Sequence, residues 1–204
     1  MKIIFSTLVL MFIVTVLFSG CSKKNEPLSV KIGNQIWMVE NLNVAHYRNG
    51  DRIPEVKDPK VWTGLHTGAW CYYNNDSING KKYGKLYNWY AVNDPRGLAP
   101  EGWHVPRVSE FEKLTSNETV ESNSYALLAR EEEGNNKSGF SAKLAGSCGY
   151  YGEFNRLGEK AEFWSSTQVS SDEAYSLNIV SSDSKIDIWS SHGVVGFSVR
   201  CVKD

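Results

Sequence analysis

Hydrophobic and polar positions alternate with period two through much of the chain after residue 28. Val30-Lys31-Ile32, then Gly33-Asn34, then Gln35-Ile36-Trp37-Met38 predicts a β-hairpin with a two-residue turn. The same period recurs in Ala161–Trp164, Ala174–Val180, Lys185–Trp189 and Val195–Val202, separated by Ser, Asp and Gly turns. Leu86 to Val92 is apolar enough to be buried, but its pattern fits strand and helix equally. Asn49-Gly50 and Asn79-Gly80 carry turn signals. Two helices are predicted. One starts at Ser109, where Glu112 completes a capping-box spacing and Phe111 and Leu114 share a face. The other spans Tyr125 to Glu133 and stops at Gly134. Strands, then short helices, then strands predict an α+β domain with a mainly antiparallel sheet.

The first twenty residues follow another rule. Lys2 precedes an apolar run from Ile3 to Phe18, broken by Ser6, Thr7 and Thr15 and closed by Ser19-Gly20-Cys21. This is the layout of a secretory signal, and the Cys after Ser-Gly resembles a bacterial lipobox. Residues 1–20 are therefore expected to be a lipoprotein signal peptide, with Cys21 acylated and residues 21–28 a polar tether. Acyl chains at ~0.8 kcal/mol per buried methylene would hold the protein to a membrane. The expected address is the bacterial envelope, at the outer membrane.

Composition changes this picture little. The 204 residues are 41% hydrophobic and 22% charged, with 22 Lys+Arg against 23 Asp+Glu. That suits one globular domain, and the balanced charge argues against a nucleic-acid partner.

Several strings resemble one known family. They are Gln35–Leu42, Gly68–Asp76, Tyr83–Val92, Gly102-Trp103-His104-Val105-Pro106, Ser138–Ala142, Phe163–Thr167 and Gly196–Val202. In this order they resemble the Fibrobacter succinogenes major paralogous domain, placing such a domain over residues 29–204. The resemblance implies a distant C-type-lectin-like fold and carries no established catalytic residues. The chain departs from the pattern at Arg107–Phe111, where Phe111 replaces a Trp, and at Gly146-Ser147-Cys148-Gly149.

Export allows disulfides to persist. Cys71 and Cys201 both fall in family strings, and a bond between them would resemble the long-range bridge of lectin folds. Two buried free thiols are the alternative, and Cys148 is left to pair with either or to stay reduced. The absence of a Cys-x-x-Cys motif, a His-Glu-x-x-His pair or a Gly-x-Ser-x-Gly elbow gives no support to an enzyme, a metal or a cofactor. Asn74, Asn75, Asp76 and Asn79 offer oxygens, but too few for calcium, and a hydrated turn explains them. His104 is expected to be a satisfied structural histidine. Asp76-Ser77-Ile78 resembles a bacterial O-glycosylation acceptor centred on Ser77; an ordinary turn accounts for the same letters.

Aromatic residues are the outstanding feature, with seven Trp and ten Tyr. Trp37, Trp70, Trp89, Trp103 and Trp164 are expected in the core. Trp62, Tyr150, Tyr151 and Trp189, in loop-like or variable company, form the candidate binding surface. The expectation is a non-catalytic recognition domain for glycan or an envelope protein. A structural subunit of a surface assembly and a divergent thiol enzyme are the alternatives.

Overall fold

A computed structural model describes residues 26–182 and 184–204. The segment expected to be a signal peptide, Cys21 and most of the expected tether lie outside the described residues. Within them are eleven short strands: β1 (Ser29–Ile32), β2 (Gln35–Met38), β3 (Trp70–Cys71), β4 (Leu86–Tyr87), β5 (Trp103–His104) and β6 (Ser147–Cys148), followed by β7 (Phe154–Asn155), β8 (Lys160–Gln168), β9 (Glu173–Val180), β10 (Ile186–His192) and β11 (Val202–Lys203). They build a four-stranded sheet in the order β1-β2-β11-β5, a three-stranded sheet β10-β9-β8, and the pairs β3-β4 and β6-β7. Every named pairing is antiparallel. With short helices between the strands, the fold is α+β.

The first hairpin forms as its pattern predicts, with Ile32 opposite Gln35 and Gly33 at φ +61° making the turn. The β8-β9-β10 meander has one clear division of faces. Ala161, Phe163, Leu177 and Ile179 point into a core shared with Trp37, Phe111 and Phe140, against which Ile186 and Ile188 pack. Trp164, on the opposite face of β8, enters a second core with Trp70, Trp89, Trp103 and Phe197. All five tryptophans expected in the core are buried. Three of them also satisfy their indole N–H: Trp70 on Ile53 O, Trp89 on Ser165 O and Trp164 on Tyr87 O.

The helices depart from expectation. Five are found among the described residues rather than two: α1 (Pro59–Thr63), α2 (Ser77–Tyr83), α3 (Trp89–Val92), α4 (Val108–Thr115) and α5 (Ser124–Leu127). Helix α4 starts two residues earlier than the Ser109 cap implied. The Glu110 carboxylate accepts the Arg107 N–H at 2.8 Å, so Arg107 occupies the cap. The helix expected from Tyr125 to Glu133 stops at Leu127, because Leu128 turns extended and its backbone bridges to Ala142. Leu86 to Val92 is both structures in turn, strand β4 and then α3, with the Asn88 side chain capping the helix on Ala91 N–H. Asn79-Gly80 is no turn but lies inside α2. A Cβ at Gly80 would stand 2.1 Å from the Tyr72 ring, so close packing rather than backbone conformation demands the glycine.

The stretch Val195–Val202, predicted as one strand, forms a ladder only at Val202–Lys203. Its earlier residues bridge three partners in succession: Gly196 to Cys148, Phe197 to Tyr87 and Ser198 to Phe163. Val202 then pairs with Trp37 and His104. One buried segment thereby stitches the sheets together.

Candidate functional site

The hairpin β6-β7 projects an aromatic tip. Gly149 N–H donates to Glu153 O and Gly152 N–H to Gly149 O, closing the turn that carries Tyr150 and Tyr151. A Cβ at Gly149 would fall 2.1 Å from the Glu153 carboxylate, and Gly152, at φ +80°, packs on Pro59 at the start of α1. Glu153 also accepts the Tyr151 N–H at 3.0 Å, which fixes the tip from within. Tyr151 is 72% exposed and Tyr150 38%.

The two rings meet edge to face at 5.1 Å, and Tyr150 meets His192 at 4.8 Å in the same manner. His192 ends β10, where its Nδ1 accepts the Val194 N–H at 3.3 Å, leaving Nε2 as the protonated nitrogen of the neutral ring. Beyond it Tyr90 leans toward exposed His66, their centroids 6.1 Å apart. Burial, with smaller contributions from Asp172 and Tyr150, raises the Tyr90 phenol above its usual pKa, so it stays a neutral hydroxyl. That hydroxyl is shielded from solvent and has no hydrogen-bond partner. The result is a tilted row of rings edged by the carboxylates of Glu153 and Asp172.

Two of the four predicted surface aromatics are brought together here, Tyr150 and Tyr151. Trp189 is exposed, 46%, but on β10 under the ammonium of Lys160, 5.3 Å from its ring centroid. Trp62 is a correction. It is 1% exposed and forms a third core with Ala69, Cys71, Tyr73, Leu86, Cys148 and Val194, because the Asp58-capped helix α1 turns its indole inward. Sequence reasoning missed His192, Tyr90 and His66. Their link to the tip is purely tertiary, and the alternation read as Lys185–Trp189 stopped short of His192, which ends β10.

A second concave region flanks Arg48. A cleft of about 510 Å³ is lined by Arg48, His104, Arg107, Glu110 and Asp204 among others. Its polar groups are engaged with one another. His104 Nδ1 lies 2.7 Å from Asp204 Oδ1 and Nε2 lies 2.9 Å from Glu110 Oε1, as a satisfied histidine requires. Arg48 donates to the carbonyls of Ala99 and Trp103. A neighbouring cleft of about 600 Å³ shares Arg48, Leu98 and Ala99 and reaches Glu26 and Pro27, the first of the described residues.

The remaining sequence candidates are placed as follows. Ser77 is exposed on the first turn of α2, and the Asp76 side chain before it accepts the Ile78 N–H as a helix cap. Asn79 donates to Tyr73 O and Asn75 to Lys57 O, so this polar stretch is used in local capping. Cys71, Cys148 and Cys201 are all buried free thiols. The Cys71–Cys201 link is a second correction. Cys71 lies in the third core, whereas Cys201 lies in the second, where burial pushes its thiol up to about 12 despite adjacent Arg200.

The model of the Fibrobacter succinogenes major domain matches residues 30–203, nearly the whole described chain. The chain belongs to that family. No curated protein and no solved structure matches it. The matched span thus takes in the aromatic tip, all four sheets except Ser29 of β1, and the two clefts except Asp204, Glu26 and Pro27.

Proposed function

We propose that this family domain is a non-catalytic recognition module with a lectin-like fold, held at the bacterial outer membrane through acylated Cys21, and that its aromatic tip binds glycan. The observation that carries the reading is the exposed Tyr150–Tyr151 pair, backed by half-buried His192 and edged by acceptor carboxylates. Rings offer flat faces to the C–H surface of a sugar, and carboxylates accept its hydroxyls. The tip is rigid before binding, because its turn is closed by backbone bonds and by Glu153. Little ordering is lost when a ligand arrives. The Arg48 clefts support this reading less well, since His104, Glu110 and Asp204 engage one another and Arg48 is spent on backbone carbonyls. No cofactor enters the reading.

The test uses the lipidated full chain in detergent on a glycan array, with envelope extract as a parallel pull-down. Binding by the wild type, weakened about tenfold by Tyr151→Ala and unchanged by Trp189→Ala, is the expected result. Capture of an envelope protein without glycan binding would move the reading to assembly, and binding to neither would end it. Mass spectrometry of the Cys21 peptide tests the anchor separately.

A further inference from the structure

The fold already contains an example of what two rings set edge to face can hold. Trp70 and Tyr72 meet in this way, 5.0 Å apart and at 66°. The Lys85 ammonium lies over both, 4.4 Å from the Trp70 centroid and 4.8 Å from that of Tyr72. It donates its protons to oxygen, to Asn43 Oδ1 at 2.6 Å and to Tyr72 Oη at 3.2 Å. Lys85 is only 5% exposed. The negative ring faces and the oxygen acceptors therefore replace the water that burial removes from its charge.

The tip repeats this geometry without a cation. Tyr150 and Tyr151 stand 5.1 Å apart at 78°, and Tyr150 and His192 stand 4.8 Å apart at 80°. Among the described residues, none of the cation–ring contacts falls on these three rings. The oxygen acceptor is Glu153, held beside Tyr151 by the N–H it accepts at 3.0 Å. The surrounding charge is acidic. Glu173 stands opposite His192 across β9-β10, and Asp172 before it accepts the Gly193 N–H on its carbonyl. Of β6, β7, β9, β10 and α1, only α1 carries a Lys or Arg, which is Lys60. Flanking Arg156 and Lys57 are already paired, with Glu159 at 2.8 Å and Glu55 at 3.1 Å. Such a surface attracts positive charge.

We propose that the tip selects an amino sugar, a glycan whose free ammonium enters the corner between Tyr150 and Tyr151 beside Glu153. The inference rests on the glycan reading and narrows it. A neutral pyranose lies with its C–H face flat on one ring. Rings at nearly a right angle shorten that platform but give two walls to a compact cation. The ammonium donates to the Glu153 carboxylate as that of Lys85 donates to Asn43, and here the acceptor is itself charged. The rest of the sugar lies against Tyr151, the more exposed of the two rings. An N-acetyl group in the same place is uncharged and forfeits the attraction of both rings and carboxylate. An acidic sugar is repelled by Glu153.

The test titrates the lipidated full chain in detergent with soluble oligomers of glucose, N-acetylglucosamine and glucosamine, matched in length and linkage, at a pH that keeps the amine protonated. The glucosamine oligomer should bind about tenfold more tightly than the other two and lose most of that advantage in raised salt. Glu153→Gln keeps an acceptor for the Tyr151 N–H but removes the charge, and should bring the glucosamine oligomer down toward the other two. Tyr151→Ala should weaken all three. Equal or tighter binding of the glucose or N-acetylglucosamine oligomer overturns the ammonium preference and leaves the glycan reading standing. A preference that survives in both variants lies elsewhere on the surface and overturns it too. If none of the three binds while other glycans bind on the array, the inference falls alone; an array with no bound glycan ends both. A lysine-rich peptide bound as tightly as the glucosamine oligomer overturns the sugar assignment in favour of a protein partner.

Discussion

Among single residues, Glu162 shows most directly how burial and charge compete. It lies on β8 directly opposite Asn178 on β9, and both are buried. Glu162 Oε2 and Asn178 Oδ1 each lack a hydrogen-bond partner. Two acceptors side by side cannot satisfy each other, but one proton on the carboxyl lets Glu162 donate to the amide oxygen. Burial raises the Glu162 pKa above its ordinary value of 4.5, against the opposing pull of a Ser147 hydrogen bond, Lys160 and Arg156. The stability this group contributes is therefore complete below its unfolded pKa and is lost as pH rises through the raised folded value. Glu162→Gln removes the titration and supplies an N–H donor at every pH. Melting temperatures of wild type and variant across pH 4 to 8 should diverge, with the variant gaining as pH rises. Curves that stay parallel would place the ionised carboxylate comfortably in this site.

Helix α4 separates what a pattern reveals from what only packing decides. The Ser109–Glu112 spacing pointed to a cap, yet the Glu110 carboxylate takes the Arg107 N–H and also faces His104. Thr167 meanwhile accepts the next N–H, that of Val108, at 3.0 Å from across the fold. Glu110→Ala should cost about 1–2 kcal/mol, because it strips the helix terminus of a charge-assisted acceptor. Ser109→Ala, on the exposed side of the first turn, should stay within about 0.5 kcal/mol. Urea midpoints of the two variants check this, and a larger loss at Ser109 would reinstate the sequence-based cap. The first hairpin, the β8-β9-β10 alternation and the five core tryptophans were legible because local pattern and burial agree there. Gly80 misled because its constraint is the Tyr72 ring, which no local spacing encodes. Trp62 misled because a five-residue helix with exposed Val61 beside it looks like surface. At the tip, Tyr150 and Tyr151 could be singled out as neighbours in sequence, while His192 joins them only through β10.

For the molecule as a whole, the decisive element is the one least regular in outline. Residues 196–202 touch β6, β4, β8, β2 and β5 in turn, and Phe197 to Val202 are all buried. Arg200, wholly buried, anchors the middle. Its guanidinium donates to Asn41 Oδ1 and to the carbonyls of Met38 and Phe140, and stacks 4.7 Å from the Phe140 ring centroid. Loss of solvent pulls its pKa down to about 9, which still leaves it charged at neutral pH and makes those acceptors indispensable. A segment that joins every sheet cannot open without parting them, so local fluctuation should not free it. Native-state hydrogen exchange should find the amides of Gly196, Phe197 and Ser198, bonded to Cys148 O, Tyr87 O and Glu162 O, opening with the same free energy as Met38 and Trp164. Residues 121–136, where helix α5 is one turn long and Glu121, Ser122, Glu133 and Asn136 all hold positive φ, should open at far lower cost. Faster exchange at 196–198 than at Trp164 would mean that the sheets are stable apart and that the segment merely lies between them. Equal exchange would explain how strands of two residues persist at all: none is stable alone, and each is held because the same stretch of chain pairs with the next.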